Sequence, residues 1–345
     1  MTTKLLEKGQ LKKELFTYLI ITFAATYILQ FIIYAIAGPI SDAMIHPLWN
    51  VGLNISMFIP AIAAIVCMAY FKSNALTNET KIIFTFFFVY AILYVSENFF
   101  HPIMGTIMGK PLVSSIIAII GIITVIIMHL KKKWRKNLEL SKLSFGKNPK
   151  YYIIIPVIFA VILIISAILF YVLGLGVPEK EFNLYLFFES WMPLLLMTFL
   201  ISWPAFFGEE YGWRVYLQDR LFPLLGGYKG VIILGIIWGL WHVPGIVFGH
   251  NFPGYPILGN VLFTLFCIVF GIILSYAVLK TGSVWIAVIL HLINNKFGQD
   301  AGAYIAGSNN IILTEGIQIA LLAAFAIILL LVSKVWKMNK KSCSN

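Results

Sequence analysis

The sequence predicts an all-α membrane protein with about ten transmembrane helices. Hydrophobic residues make up 60% of the 345-residue chain and charged residues only 11%, whereas soluble domains carry about 25% charged residues. The chain also contains ten apolar stretches, most of which approach the roughly 20 residues that a helix needs to cross a bilayer. These stretches cover residues 15–37, 48–71, 82–100, 111–130, 151–173, 190–222, 230–248, 257–279, 283–297 and 316–336.

The basic residues predict how these helices are oriented. Short cytoplasmic loops of membrane proteins collect Lys and Arg. If the N-terminus is cytoplasmic, all but three of the 25 basic residues fall in cytoplasmic segments, the exceptions being Lys110, Lys180 and Lys296. We therefore expect both termini in the cytoplasm. This topology, with contact to anionic lipid head groups, explains the net charge of +11 without a nucleic-acid partner.

A basic segment, residues 131–150, divides the chain into two parts. Residues 1–150 carry four predicted helices and this basic cytoplasmic loop, and residues 151–345 carry the other six helices. In the first part, Glu97 and His101 lie near the end of a predicted helix, and we expect both at the interface with water. No repeat relates the two parts, which disfavours an inverted-repeat transporter.

Five ionisable side chains of the second part lie inside or between long apolar stretches. They are Glu209, Glu210, Arg214, His242 and His291. A charged side chain near the bilayer centre costs roughly 2.5 to 3.5 kcal/mol on insertion scales, so such residues are functional by default. The sequence therefore predicts an active site inside the membrane.

Helical spacing distinguishes the two glutamates. Side chains four residues apart share a helix face, so Glu210 is expected to pair with Arg214. Glu209 is turned by about 100° from its neighbour and faces a different environment. An unpaired carboxylate in a cavity of low dielectric constant is suited to act as a general base.

The other two motifs have the same spacing. Trp238 and His242 are four residues apart, as are His291 and Asn295, so each pair shares a helix face. A turn at residues 223–227 lies on the order of 20 Å from both the first glutamate and the first histidine. We therefore expect these side chains to meet in a water-filled cavity open to the cytoplasm. Three tryptophans nearby are expected to pack or to form the cavity wall: Trp213, Trp238 and Trp241.

Together the three motifs resemble those of the CPBP family of intramembrane proteases, which contains CAAX prenyl endopeptidases and bacterial bacteriocin-processing and immunity proteins. The motifs EExxxR, FxxxH and HxxxN occur in order within roughly residues 185–300, although Trp238 replaces the phenylalanine. The continuation Val243–Pro244 is similar to bacterial members, so a bacterial cell membrane is the expected location. The residues that match the motifs are Glu209, Glu210, Arg214, His242, His291 and Asn295.

The resemblance implies a CPBP-type helix core in the C-terminal half and endopeptidase chemistry. Glu209, with His291, would activate a water molecule. His242 and Asn295 would polarise the scissile carbonyl and hold its developing oxyanion, and the second glutamate and the arginine would orient the site. Substrates would be peptide precursors or membrane-associated or prenylated proteins.

The sequence leaves two alternatives open. Glu209, His242 and His291 match the His₂Glu ligand pattern of catalytic zinc, but the chain has no HExxH motif and no obligatory metal is expected. A bacteriocin-immunity or regulatory binding protein of the same fold would need no catalysis. The oligomeric state is not predicted by the sequence.

Overall fold

The computed structural model describes residues 2–40, 46–100, 104–107, 109–176, 184–304 and 310–337. Side chains are described over the same ranges except for residues 2–7, 184–192 and 298–304. Nearly all of the described chain is helical, which confirms the predicted all-α class.

The helices follow one another with mostly short connections. The first part contains α1 (Thr2–Ala37), α2 (Pro47–Tyr70), α3 (Asn78–Phe100), the antiparallel strands β1 (Thr106–Ile107) and β2 (Lys110–Pro111), α4 (Leu112–Leu130) and α5 (Lys132–Leu140). The second part contains α6 (Tyr151–Val172), α7 (Leu184–Glu210), a π-helix (Tyr211–Leu217), α8 (Gln218–Leu225), α9 (Gly227–Trp241), α10 (Val243–Val247), α11 (Pro256–Thr281), α12 (Trp285–Tyr304), α13 (Ile311–Val332) and a 3₁₀-helix (Lys334–Trp336).

Seven helices are long and apolar enough to cross a membrane, among the residues described. They are α1, α2, α3, α4, α6, α11 and α13. Each coincides with one of the ten predicted spans, so the protein is a polytopic integral membrane protein. The other three predicted spans correspond to α7 with its π-helical continuation, to α9 with α10, and to α12. The total of ten stays a prediction.

The helix bundle has one end that collects basic residues, which we call the basic end. Here Arg220 Nε lies 2.9 Å from Glu14 Oε2, and the Asn148 side chain donates a hydrogen bond of 2.9 Å to the carbonyl of Lys280. The predicted basic segment, residues 131–150, lies at this end, together with the turns after α8 and α11.

The other end of the bundle, which we call the opposite end, is defined by contacts between the end of α1 and the segment after α10. Trp49 Nε1 donates to the carbonyl of Gly38 at 2.9 Å, and the Ile40 N–H donates to the carbonyl of Phe248 at 2.7 Å. Tyr34 stacks on Phe248 with 4.2 Å between the ring centroids. The short α10 and the start of α11 therefore lie at the end where α1 stops and α2 begins.

The two parts of the chain share one hydrophobic core cluster. α2 crosses the junction of α7 and the π-helix closely, because Gly208 lies against the Met57 carbonyl and Gly212 against Pro60. A Cβ at either glycine would overlap these atoms. The two glycines flank the adjacent glutamates of the first motif, so this close approach sets both carboxylates in the protein interior.

Glu97 differs from its predicted position. Its side chain is only 1% exposed, and its Oε2 accepts a hydrogen bond of 3.1 Å from the Ser114 N–H in the first turn of α4. The positive end of the helix dipole stabilises a carboxylate placed there. The interfacial position expected for Glu97 is therefore wrong, and His101 lies outside the described residues.

Candidate active site

The first motif lies where the α-helical geometry of α7 gives way to a π-helix. α7 ends at Glu210, and the π-helix Tyr211–Leu217 continues without a break into α8. Every residue of this π-helix is buried. π-helical segments are rare and frequently occur at functional sites. A regular α-helix was expected across the whole motif, whereas the structure shows one only as far as Glu210.

Glu210 contacts two side chains in the protein interior, one through each carboxylate oxygen. Its Oε2 lies 3.2 Å from Arg214 Nε, and its Oε1 lies 2.8 Å from His291 Nδ1. The pair with Arg214 is the one predicted from the spacing, whereas the contact with His291 was not predicted. Because a carboxylate only accepts hydrogen bonds, His291 Nδ1 is the donor. The ring therefore keeps its Nε2 for chemistry elsewhere.

The buried positive charge of Arg214 is compensated by a carboxylate and by the face of an aromatic ring. Its side chain is fully buried, and its Cζ lies 4.4 Å from the centroid of the Trp238 ring, within range of a cation–π interaction. Among the described residues, its guanidinium nitrogens have no acceptor in good hydrogen-bond geometry. Glu210 and the Trp238 ring therefore provide the compensation for this buried charge.

Glu209 occupies a different environment from its neighbour. Its side chain is 3% exposed and lines a cavity, and its Oε2 accepts a hydrogen bond of 2.9 Å from Trp238 Nε1. The described residues that line this cavity include Glu209 but not Glu210 or Arg214. One glutamate is thus paired in the interior and the other borders the cavity, as the spacing predicted.

Each of the two histidines uses its Nδ1 in a hydrogen bond, which leaves Nε2 available. His242 Nδ1 lies 2.9 Å from the carbonyl oxygen of Trp238, and this oxygen can only accept, so Nδ1 carries a hydrogen. In both His242 and His291, therefore, the neutral ring keeps an acceptor lone pair on Nε2. His242 can donate from Nε2 only in its protonated form. Both side chains line the cavity.

Asn295 lies one turn after His291 and also lines the cavity. The Asn294 amide nitrogen donates to Asn295 Oδ1 at 3.2 Å. With its oxygen used in this way, the Asn295 side chain keeps its amide N–H groups as donors. All six residues predicted from the motifs thus lie in or directly behind one wall of the cavity.

The cavity has a volume of about 620 Å³ and extends toward the opposite end of the bundle. Its lining runs from Glu209 and His291 to polar side chains such as Asn50 and Asn251, which lie near the start of α2 and after α10. The turns at the basic end are not among its described lining residues. The described lining residues therefore do not support the expected opening on the cytoplasmic side, where the basic residues collect.

The position of His242 on α9 accounts for this difference. The 15 residues of α9 span about 22 Å, so His242, directly after the last of them, lies at the end of the helix farthest from the basic end. For His242 this length agrees with the predicted distance from the turn, and the cavity beside it is lined by residues toward the opposite end. Buried side chains, among them Trp213 and Leu217, occupy the space toward the basic end.

The three residues that could serve as zinc ligands, Glu209, His242 and His291, are not arranged as a metal site in the structure. Within the part of the chain that the structure describes, no group of three His, Cys, Asp or Glu side chains is placed to hold a metal ion. Glu209 is bonded to Trp238 instead. The Nδ1 contacts of the two histidines do match those of metal-bound histidines, which donate from their second nitrogen. The complete set nevertheless does not fit zinc as it is placed.

Trp238 forms part of the cavity wall, as expected, and also makes two polar contacts that were not expected. It lines the cavity, donates from Nε1 to Glu209, and presents its ring face to Arg214. The phenylalanine common at this motif position would keep the ring but lose the N–H. The replacement of phenylalanine by tryptophan is the sequence signal from which this donor could have been predicted.

Comparisons with known proteins match the segment that carries this site. Residues 189–297 match the family model described as type II CAAX prenyl endopeptidase Rce1-like. A curated protein from Methanococcus maripaludis, CAAX prenyl protease 2, is 29% identical over 175 residues, which cover 48% of this chain and 61% of that protein. All six predicted site residues lie within 189–297, so the segment that carries the motifs is the one that matches the Rce1-like family model, and this match confirms the resemblance drawn from them.

Proposed function

We propose that the protein is an intramembrane endopeptidase that hydrolyses peptide bonds with a water molecule activated by Glu209. The observation that carries the proposal is the separation of two adjacent glutamates. Glu210 is held between Arg214 and His291 in the interior, whereas Glu209 borders a cavity large enough for a peptide segment. The Rce1-like match and the name of the Methanococcus protein support a protease.

In this proposal Glu209 accepts a proton from water while the water oxygen attacks the scissile carbonyl carbon. His291 Nε2, on the same wall, assists as a second acceptor. The electron pair of the carbonyl bond moves to its oxygen, which the amide of Asn295 stabilises by donating a hydrogen bond; His242 would join it as a donor only when its ring has taken up a second proton. The proton then passes to the amide nitrogen, and the carbon–nitrogen bond breaks. Each preorganised donor of this kind contributes roughly 2.7 to 4 kcal/mol.

Glu210 and Arg214 act as positioning residues. The 2.8 Å hydrogen bond from His291 Nδ1 to Glu210 fixes the orientation of the imidazole and leaves Nε2 toward the cavity. Arg214 holds Glu210 in place in the interior, because its Nε lies 3.2 Å from the Glu210 Oε2 and the two opposite charges attract each other. The pair thus supports a catalytic residue without contacting the substrate.

The proposed substrates are peptide precursors or segments of membrane-associated or prenylated proteins, and the surrounding lipids are the other partners. The charge distribution supports a location with both termini in the cytoplasm, and the motif style supports a bacterial cell membrane. Zinc is not required in the proposal. Zinc present at one equivalent in purified protein, lost with activity on chelation and regained with it on addition of zinc, would contradict that part.

The proposal is tested by comparing cells that carry the wild-type chain with cells that carry Glu209→Gln at equal expression. Terminus-selective mass spectrometry of membrane and secreted peptides should show a precursor that accumulates only in the variant. Its cleaved products should be present only with the wild-type chain. Identical peptide profiles, with a cellular phenotype that survives Glu209→Gln, would favour the non-catalytic binding protein instead.

A further inference from the structure

The cavity and the basic residues lie toward different ends of the helix bundle. The basic end contains the segment 131–150 and the basic residues of the turns after α8 and α11, among them Lys229 and Lys280. Of the basic residues that the structure describes, Lys110 and Lys296 lie toward the opposite end, and both line the cavity. Lys180 lies outside the described residues.

Between the cavity and the basic end the interior is filled. Tyr18, Trp213 and Leu217 are completely buried there, and the rings of Tyr18 and Trp213 make an edge contact with 5.9 Å between centroids. Nearer the surface, the ion pair of Arg220 with Glu14 ties α8 to α1. These buried side chains lie between Glu209 and the basic end.

Toward the opposite end the walls of the cavity become polar. The polar residues that line this part are Asn50, Asn54, Lys110, Asn251, Glu315 and Gln318. They come from the start of α2, from β2, from the segment after α10 and from the start of α13. Polar and charged side chains at membrane depth face protein or a water-filled space. This polar lining therefore indicates the side from which water and a peptide reach the site.

We propose that the active-site cavity opens on the extracytoplasmic face of the membrane, and that its substrate is a polypeptide presented from that face. Short loops rich in Lys and Arg stay in the cytoplasm, which assigns the basic end to that side. The substrate is then an exported peptide or the outer end of a membrane-inserted segment, not the cytoplasmic tail of a protein. The statement about the substrate rests on the proposed endopeptidase function, whereas the side of the opening does not.

Cysteine labelling tests the side of the opening without any need for catalysis. In a Cys343→Ser background, Asn50→Cys places a thiol at the exposed mouth of the cavity and Lys133→Cys places one at the exposed basic end. A membrane-impermeant maleimide should label Asn50→Cys in intact cells and Lys133→Cys only after permeabilisation. Tyr255→Cys, at the half-exposed start of α11, gives a second reporter of the opposite end should Asn50→Cys fail to fold.

Labelling of Lys133→Cys in intact cells, with protection of Asn50→Cys and Tyr255→Cys, would overturn the proposal. The substrate is tested separately, with a precursor that accumulates in Glu209→Gln cells. External proteinase K added to intact cells should remove the cleavage site of this precursor, and a site that stays protected until permeabilisation would contradict an extracytoplasmic substrate. If no precursor accumulates, the endopeptidase proposal fails while the labelling result still stands.

Discussion

The helices of this protein fall into two groups that differ in their surroundings. Six of the seven apolar helices, all except α2, turn much of their surface outward: α6 has 22% of its most apolar stretch buried and exposes Ile153 to 69%. In α7 and the π-helix, by contrast, all of residues 201–217 are buried. The six site residues lie at or in the second group, which consists of α7 with its π-helix, α9 with α10, and α12.

This difference shows how a membrane protein can hold charges at depth. A lipid-facing helix must be apolar over about 20 residues, so hydropathy identifies it. A helix packed inside the bundle can instead carry a buried ion pair, as α7 with its π-helix does in Glu210 and Arg214, because the opposite charges compensate each other away from lipid. The helices that form the site are therefore those that a hydropathy criterion identifies least well.

The largest effect is expected from Glu209→Gln, which keeps the shape of the side chain and removes its ability to take up a proton. Cleavage should fall by at least about 100-fold, within the range lost with a general base. The thermal unfolding of the purified protein in detergent should be unchanged, because no buried positive charge loses its partner. Near-normal turnover would remove Glu209 from the proposed mechanism.

Glu210→Gln should differ in kind, because it leaves Arg214 buried without its counter-charge. Breaking a buried pair in this way costs about 3 to 5 kcal/mol, and activity should fall as well because His291 loses its anchor. The control is Glu139→Gln on α5, where the pair with Arg135 is 41% exposed and should contribute close to nothing. Equal unfolding free energies for the two variants would show that the interior pair has no special role.

Trp238→Phe tests the N–H donor while keeping the aromatic ring that faces Arg214. A hydrogen bond to a charged group contributes about 1.5 to 3 kcal/mol, so kcat should fall by roughly 10- to 100-fold with KM unchanged. Trp336→Phe removes an equally buried indole N–H that bonds the Leu329 carbonyl at the basic end, and should leave kcat unchanged. A parallel loss in both variants would indicate general destabilisation.

The smallest effect is expected from Gly208→Ala at the crossing of α7 with α2. The added methyl group would meet the Met57 carbonyl, and overpacking of this kind costs about 1 to 3 kcal/mol. Gly316→Ala on α13 meets no atom within 4 Å and should be neutral or stabilise by roughly 0.5 to 1 kcal/mol. Chemical denaturation of both variants measures the difference, and equal values would contradict the close approach of the two helices.

The all-α class, seven of the spans and the pairing of Glu210 with Arg214 could be predicted because each depends on composition or on spacing along a single helix. The partner of His291 could not, since Glu209 and Glu210 are adjacent and the spacing does not say which one meets a residue 81 positions away. The burial of Glu97 also depends on a second helix, α4, whose first turn it reaches.

The side on which the cavity opens could not be predicted for a related reason. Distances along α9 placed His242 correctly relative to the turn, but the side that opens depends on which space the other helices fill. Tyr18 and Trp213 are buried between the cavity and the basic end, and no motif in α1 indicates this position. Packing between distant segments therefore decides the access to a site whose chemistry the motifs already indicate.

The central claim, that Glu209 activates water for peptide hydrolysis, is tested most directly with purified protein. Membranes from Glu209→Gln cells, which hold the uncut precursors, are incubated with wild-type or Glu209→Gln protein in water enriched in oxygen-18. We predict new peptide termini with the wild-type protein alone, with oxygen-18 in each new C-terminal carboxylate. No new termini with the wild-type protein, or the same termini with both proteins, would contradict the account.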